Sequence, residues 1–344
     1  MSEDISVNQE VTPVIPLKKR IERGAGAIAL RLIVGPLRAM PLPLARKCGR
    51  GIGTALYYLL GRYRRVAIKN LTLVYGQEKS PSEIVGMAKE VFQNFGETAV
   101  EFVKLPQLGK EAIESLAVVD GHENLAAAME MGRGVLMISG HFGNWEFMTR
   151  YVTLLGHKIN VVVRDARDPV ATKLLADTRE GYGVNLLYRG SSARTIYALL
   201  KKNQMVGLLP DQNAADVFVP FFGFPTGTVN GPAALHLMTK APILFVWCVR
   251  LPDGRFHIVA EPPVMFEATK NRDADIAAIT ALINARLEAQ IRRNPTQWLW
   301  LHDRWKASPG VFPDGESNRK ELKTPLKQLR EQAARENAAN DTAK

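Results

Sequence analysis

The sequence predicts an α/β fold in which helices flank a mostly parallel sheet. Short β-rich runs recur from the middle of the chain onward, and helical stretches separate several of them. Strand and helix alternating in this way are typical of an α/β layer with a largely parallel sheet. The predicted strands are 135–139, 159–163, 184–188, 205–209, 243–249 and 256–260, and the helices are 80–104, 121–130, 168–182, 191–202, 231–240 and 273–293.

Composition divides the chain into four predicted parts. Residues 1–17 are polar and contain Pro13 and Pro16, which predicts a flexible leader. Residues 18–75 are predicted to form basic amphipathic helices that associate with a membrane. Residues 76–311 form the α/β domain. Residues 312–344 are charged and poor in apolar side chains, which predicts a disordered tail.

The membrane prediction depends on how charge is placed in the N-terminal part. Between residues 18 and 69 there are 13 Lys or Arg and one acid, interleaved with short apolar runs. No uncharged run reaches the roughly 18 residues that a spanning helix needs. Interfacial helices have this pattern, because cations reach lipid headgroups while apolar side chains insert. Two alternatives remain: helices packed on the core with a solvated charged face, or one tilted span across residues 25–60 with snorkelling arginines.

The bulk numbers limit the partners. The net charge of +11 and pI near 9.6 indicate an anionic partner. Nucleic acid is disfavoured, because the basic residues alternate with aliphatic runs and not with stacking aromatics. Cys48 and Cys248 have neither zinc-site nor disulfide-framework spacing, and no His-Glu-x-x-His motif occurs, so no metal or other cofactor is predicted.

The chain is organised around one strand–turn–helix segment, residues 134–150. An apolar strand runs into a turn that bears His141, and an amphipathic helix follows with Gly143 or Asn144 as its N-cap. Glu146 then lies in the first helical turn, where the helix dipole favours a carboxylate. A histidine beside a carboxylate has the parts of a general base with an orienting partner. The alternative is a simple capping arrangement with a loop histidine.

Other residues near this segment are weaker candidates. Asp211 and Gln212 follow the predicted strand 205–209, at the carboxyl end where open α/β sheets place their sites, so they are candidates for positioning substrate. Ser139 lacks the Gly-x-Ser-x-Gly frame of a nucleophile elbow, so we expect it to end the strand and not to act as a nucleophile. Residues 217–239 contain no Asp, Glu, Lys or Arg, and their prolines and glycines predict a loop and a short helix, which either receive a hydrocarbon chain or pack in the core.

The C-terminal aromatic cluster carries cations. In Trp298-Leu-Trp-Leu-His-Asp-Arg304-Trp-Lys306, polar and apolar residues alternate, which predicts a strand or an interfacial aromatic belt with phosphate-binding cations such as Arg304. The alternative is a packed segment whose charges face water.

Six blocks occurring in order resemble the late acyltransferases of lipid A biosynthesis, the His-x4-Glu type of the lysophospholipid acyltransferase superfamily. The blocks are Arg65-Val-Ala-Ile-Lys-Asn-Leu71, Gly140-His-Phe-Gly-Asn-Trp-Glu146, Val163-Arg164 followed by Asp168-Pro169, Pro210-Asp-Gln212, Val217-Phe-Val-Pro-Phe-Phe-Gly223 and Gln297-Trp-Leu-Trp-Leu-His-Asp-Arg-Trp-Lys306. The resemblance covers roughly residues 20 to 308 and implies a glycerolipid acyltransferase-like fold.

The resemblance also implies a function. His141 would be the general base, Glu146 its acidic partner, and Arg164 a contact to the lipid or the reacting group. The backbone near Asn144, or Arg164, would bind the oxyanion. An acyl carrier protein thioester would be the donor and a phosphorylated glycolipid the acceptor, at the cytoplasmic face of the bacterial inner membrane. Alternatives are an acyltransferase of phosphatidylinositol mannoside or a glycerophospholipid, or a non-catalytic membrane-surface protein on the same scaffold.

Overall fold

A sheet of seven strands forms the centre of the computed structural model, which describes residues 34–163, 169–188 and 193–312. Its strands are β1 (Ala117–Asp120), β2 (Val135–Ile138), β3 (Ile159–Val163), β4 (Asn185–Tyr188), β5 (Met205–Leu208), β8 (Ile243–Arg250) and β9 (Phe256–Ala260). They lie in the order β1-β9-β8-β2-β5-β3-β4, and only the β8–β9 pair is antiparallel. The predicted mostly parallel α/β fold is confirmed.

Helices cover the sheet. They are α1 (Leu42–Leu59), α2 (Gly61–Tyr75), α3 (Pro81–Lys104), α4 (Lys110–Leu116), α5 (His122–Glu130), α6 (Trp145–Leu154), α7 (Pro169–Glu180), α8 (Ala193–Lys201), α9 (Gly231–Thr239) and α10 (Arg272–Arg293). Ser80 and Glu83 form the capping box that begins α3, as the Ser-Pro start and nearby Glu predict. The leader, residues 313–344 of the tail and Arg164 lie outside the described residues.

The central strand β2 shows why these strands read as uninterrupted apolar runs. Its four residues are all buried, because helices cover both faces of a parallel sheet. Successive side chains point to opposite faces. Leu136 and Ile138 therefore join one hydrophobic cluster, and Val135 and Met137 join the other. The strand ends at the turn that bears His141.

The segment predicted as a loop before α9 is instead a β-hairpin. Strands β6 (Val217–Phe221) and β7 (Phe224–Thr228) pair antiparallel around a two-residue turn. Phe222 and Gly223 both have positive φ, 52° and 78°, as a type I′ turn requires. The Pro and Gly residues suggested a loop, but an isolated two-strand ribbon tolerates them. Phe221 and Phe222 are buried, which favours the packing alternative over a hydrocarbon site.

The C-terminal aromatic segment also differs from its prediction. A 3-10 turn covers Pro295–Gln297, Trp298 forms one isolated bridge to Phe142, and residues 300–301 and 304–307 form turns. The segment is neither a strand nor an exposed belt. Trp298, Trp300 and Trp305 are buried and pack against one another and against the hairpin.

Helix α1 lies unusually close to α3. A methyl group added at Gly53 would come within 2.2 Å of the Phe92 carbonyl oxygen, and one added at Gly96 within 2.2 Å of the Gly49 carbonyl oxygen. The inner side of α1 therefore packs on the core. Its outer side and the start of α2 expose large apolar residues, namely Leu44, Ile52, Tyr58, Leu59, Leu60 and Tyr63.

Among the described residues, no helix combines the length and the apolar character needed to cross a bilayer.

Candidate active site

The turn between β2 and α6 is shaped by a glycine at position 143 and a capping side chain at position 144. Gly143 has φ of +57°, and a Cβ there would lie 1.7 Å from the Cys248 carbonyl oxygen, so glycine is required. Asn144 caps α6, because its side chain accepts a hydrogen bond from the Phe147 amide at 2.8 Å. The predicted N-cap and the placement of Glu146 in the first helical turn are confirmed.

His141 is held by Asp211. The His141 backbone amide donates to Oδ2 of Asp211 at 2.8 Å, and ring atom Nδ1 lies 2.8 Å from Oδ1. The indole Nε1 of Trp298 donates to the same Oδ2 at 2.9 Å. These three donors fix the Asp211 carboxylate. Asp211 is only 3% exposed, so these contacts are shielded from solvent. Nδ1 therefore carries the proton that Asp211 accepts, and Nε2 is the ring nitrogen left to accept another.

The prediction that Glu146 holds the His141 ring is therefore wrong in its geometry. The Glu146 carboxylate is buried and pairs with the Arg179 guanidinium through Nε and Nη2. The Tyr182 hydroxyl donates to it at 3.2 Å and the Trp145 indole at 3.0 Å. Glu146 acts on the histidine through space, because its charge helps to raise the pKa of His141.

The charges around His141 favour its protonated form. Burial acts to lower the pKa of His141, but the adjacent Asp211 carboxylate more than offsets this, and the pKa lies above its usual value. The pKa of Asp211 lies well below its usual range, because attraction to His141 and three hydrogen bonds exceed the effect of burial. The pair is thus an ionised carboxylate beside an imidazole whose pKa lies above the usual value.

His141 borders an open cleft. The cleft runs between α3 and the segment 296–299, and its apolar lining includes Val91, Phe95, Trp145 and Leu299. The Trp145 and His141 rings meet edge to face with centroids 5.2 Å apart. The His141 side chain keeps 22% exposure, whereas that of Asp211 keeps 2%. A hydroxyl group entering the cleft can reach the imidazole but not the carboxylate behind it.

Three residues predicted to contact substrate have other roles. Asp211 positions His141, as described above. Asn144 is fully buried, and its side-chain amide donates to Glu101 at 2.6 Å. Arg304 is 1% exposed and donates to the Gly227 carbonyl and the Thr228 hydroxyl, so it cannot meet a phosphate. Burial lowers the pKa of Arg304 to about 10.

The predicted oxyanion donors at the turn are occupied. The Gly143 amide donates to the Gln297 carbonyl at 2.8 Å, and the Asn144 amide to the Cys248 carbonyl at 2.9 Å. The other predicted donor, Arg164, lies outside the described residues. Gln212 is half-buried beside Asp211, and its contact with substrate stays a prediction.

Three residues that complete the site were not singled out. Trp298 belongs to the aromatic segment, but its sequence context does not reveal the indole hydrogen bond to Asp211. Arg179 and Tyr182 lie near the end of α7 and appeared as ordinary helix residues. Only the tertiary fold brings them to Glu146, 33 and 36 residues earlier in the chain.

Within the described ranges, no group of three or more His, Cys, Asp or Glu side chains is arranged to hold a metal ion.

A protein-family model, described as bacterial lipid A biosynthesis acyltransferase, matches residues 20–307. The chain is 28% identical over 275 residues to the lipid A biosynthesis palmitoleoyltransferase of Escherichia coli K12, covering 78% of this chain and 87% of that protein. It is 26% identical over 226 residues to a phosphatidylinositol mannoside acyltransferase of Mycobacterium tuberculosis, covering 62% of this chain and 69% of that one.

A crystal structure of 1-acyl-sn-glycerophosphate acyltransferase from Thermotoga maritima aligns with a TM-score of 0.33 at 15% identity. The alignment covers 71% of this chain and 98% of that one.

Proposed function

The chain belongs to the bacterial lipid A biosynthesis acyltransferases, and we propose that it moves a fatty acyl chain from an acyl carrier protein thioester to a hydroxyacyl group of a lipid A precursor. The observation that carries the proposal is the His141 ring, fixed by Asp211 at Nδ1 and open to a partly apolar cleft. An ester-forming transfer needs a base at this position, because a neutral hydroxyl is a poor nucleophile.

The reaction follows from the two ring nitrogens. The acceptor hydroxyl gives its proton to Nε2 of His141 while its oxygen attacks the thioester carbonyl. Asp211 stabilises the imidazolium that forms. The tetrahedral intermediate then collapses, the carbon–sulfur bond breaks, and the departing thiolate takes the proton from Nε2. An ester and a free thiol result, and the histidine returns to its starting state.

Glu146 contributes to this reaction without contacting the His141 ring. We assign it two effects, a negative charge that favours the imidazolium, and an ion pair with Arg179 that holds α7 against α6. The second effect fixes the end of the helix that follows the Arg164 segment. Arg164 and Gln212 remain the candidates for contact with the lipid.

The cleft supplies the apolar surface that an acyl donor needs. Val91, Phe95 and Leu299 provide contacts for an alkyl chain, and Trp145 covers one side of the imidazole. Exclusion of water by a bound chain protects the thioester from hydrolysis, which is the competing reaction.

Attachment to the cytoplasmic face of the inner membrane is assigned to the corner between α1 and α2. Tyr58 and Leu59, at the end of α1, are 61% and 76% exposed, and Arg62 and Tyr63, in the first turn of α2, are also exposed. Aromatic and aliphatic side chains beside a cation suit an interface with anionic lipid.

The experiment is a transfer assay with purified protein. A palmitoleoyl thioester of acyl carrier protein is incubated with an under-acylated lipid A precursor, and product is identified by mass spectrometry. We expect a precursor heavier by one acyl group, and His141→Ala is expected to lose at least about 10²-fold in rate. Binding of the precursor without transfer by folded wild-type protein would instead establish a non-catalytic surface protein.

A second candidate acceptor is phosphatidylinositol mannoside, because relatives that act on it share 26% identity with this chain. The same assay decides between the acceptors when both are offered at equal concentration. Acylation of the mannoside alone would overturn the first assignment and leave the base mechanism standing. A glycerophospholipid acceptor is included as a third arm.

A further inference from the structure

A buried group of charges lies next to the turn that joins β2 to α6 and bears His141, called here the catalytic turn (residues 139–144). Glu101 of α3 is 2% exposed and accepts from Nε of Arg46 at 2.6 Å. The Arg250 guanidinium at the end of β8 also pairs with it, through Nε and Nη2. Burial would raise the pKa of Glu101, but the two arginines more than offset this and the pKa is lowered. The carboxylate is therefore ionised and fixed.

Glu101 contacts the catalytic turn through Asn144. The side-chain amide of Asn144 donates to Oε2 of Glu101 at 2.6 Å, while its oxygen caps α6. The position of the turn residue that follows Gly143 is thus set by α3. Thr98, one helical turn before Glu101, adds a hydrogen bond from its hydroxyl to the Gly143 carbonyl at 3.3 Å.

The same carboxylate reaches the other side of His141 through Arg250. The backbone of Arg250 pairs in both directions with the Gln297 side chain, each bond at 2.9 Å. The Gln297 carbonyl accepts from the Gly143 amide, and the next residue is Trp298, whose indole holds Asp211. Glu101 therefore supports both the turn that carries His141 and the segment containing Trp298, which donates to Asp211.

Arg46 belongs to α1, the helix whose outer side exposes apolar residues. Its guanidinium also lies over the Phe256 ring, 5.2 Å from the centroid. The charge pattern of residues 18–75 predicts lipid headgroups as partners of the basic side chains, but Arg46 points inward to Glu101, and Arg50 pairs with Glu97 and Gln93. The first of these pairs connects α1 with the residues that orient the base.

We propose that Arg46 and Glu101 are positioning residues for acyl transfer, which hold the His141–Asp211 pair in register by fixing Asn144 and, through Arg250 and Gln297, Trp298. The proposal deepens the assignment of His141 as base and depends on it. A displacement of the turn by a fraction of an ångström is enough to lengthen the bond between Nδ1 and Asp211, and small misplacements of catalytic groups have large effects on rate.

The test compares two arginines of one helix. Arg46→Met removes the bond to Glu101 and keeps an apolar stem beside Phe256, and Arg46→Lys restores a cation. Arg50→Met is the matched control, because Arg50 contacts Glu97 and not Glu101. The readouts are kcat, KM for the thioester and the pH profile of kcat/KM, each corrected for the folded fraction.

We expect Arg46→Met to lower kcat about tenfold with little change in KM. Its acid limb should move to lower pH, because a weaker Asp211 contact lowers the pKa of His141. The other charged groups near the ring, Glu146, Arg179 and His302, keep their partners in this variant. Arg46→Lys should recover most of kcat, and Arg50→Met should resemble the wild type.

Asn144→Ser provides a second variant if Arg46→Met does not fold. Serine is a good N-cap, so α6 is kept, but the amide that donates to Glu101 is lost. The same fall in kcat and the same shift of the acid limb are expected. The proposal is overturned if the folded variants keep wild-type kcat, or if kcat falls while the acid limb stays in place. Activity lost in His141→Ala but unchanged in Arg46→Met would reject the positioning role alone.

Discussion

Asp211 binds His141 twice, through the backbone amide and through ring atom Nδ1, each at 2.8 Å. One carboxylate therefore fixes both the main chain and the ring of the residue that we assign as base. The ring cannot rotate about its side-chain bonds without breaking one of these contacts.

Replacing the carboxylate tests this arrangement. Asp211→Asn keeps the size of the side chain but removes the charge, so the imidazolium loses its stabilising partner. We expect kcat to fall about 10²–10⁴-fold, with the thioester KM nearly unchanged. Initial rates at saturating acceptor measure this. A residual rate within threefold of wild type would contradict the assigned role.

The pH dependence of the wild-type enzyme follows from the raised pKa of His141. His141 must be neutral to accept a proton, and its pKa is raised above the ordinary value of about 6.5. The acid limb of kcat/KM is therefore expected above pH 6.5, with activity lost as pH falls through it. In Asp211→Asn the limb should move to lower pH. A profile flat between pH 6 and pH 8 would exclude His141 as the base.

The indole bond to Asp211 has a matched control in the same aromatic cluster. Trp298→Phe removes the Nε1 donor, and we expect a several-fold loss of kcat, in line with about 1 kcal/mol for one hydrogen bond. Trp305→Phe removes a similar ring volume, but within the described residues the Trp305 indole nitrogen has no hydrogen-bond partner. Trp305→Phe should destabilise the fold while kcat per folded molecule stays near wild type. Equal kcat losses in the two variants would mean that packing alone matters.

Glu146 is expected to matter for stability as well as rate. Glu146→Gln leaves the Arg179 guanidinium, whose side chain is 16% exposed, without its charged partner. Removing one member of a buried ion pair costs about 3–5 kcal/mol, which urea unfolding at neutral pH would measure. Asp177→Asn on the same helix α7 breaks an exposed pair with Lys173 and should change stability little. Comparable midpoints for the two variants would show that the Glu146 pair contributes little.

The α1–α2 corner is tested by adding charge. Leu59→Glu places a carboxylate where a 76% exposed leucine stands, and binding to vesicles of anionic phospholipid should weaken at least several-fold in a sedimentation assay. Met265→Glu is the control, because Met265 is 40% exposed on a different part of the chain. Both variants should keep their melting temperature. Unchanged binding by Leu59→Glu would place membrane contact elsewhere.

Much of the fold could be predicted because local patterns determine it. The six predicted strands all exist, with ends within about a residue of those observed, because buried parallel strands are uninterrupted apolar runs between turns. The hairpin Val217–Thr228 was missed because its prolines and glycines are typical of loops. Its pairing depends on the turn at Phe222, a position where a non-glycine residue with positive φ cannot be foreseen from composition.

The site was predicted in part for the same reason. The turn, its N-cap and the position of His141 within it are local features, and the sequence places them correctly. The partner of His141 is 70 residues away, and only the parallel pairing of β2 with β5 brings their ends together. The burial of Arg304 was equally hidden, because an arginine in an aromatic segment suggests a surface cation. Its bonds to Gly227 and Thr228 exist only in the folded hairpin.

The closest approach between α1 and α3 is made by main-chain atoms at Gly49, Gly53 and Gly96. Side-chain packing can be readjusted by a compensating change nearby, but a carbonyl oxygen has no rotamer to change. A single methyl group at any of the three positions would clash with a carbonyl oxygen and push α1 away from α3. Arg46 would then move away from Glu101. We therefore expect glycine at these three positions even in relatives that act on different lipids.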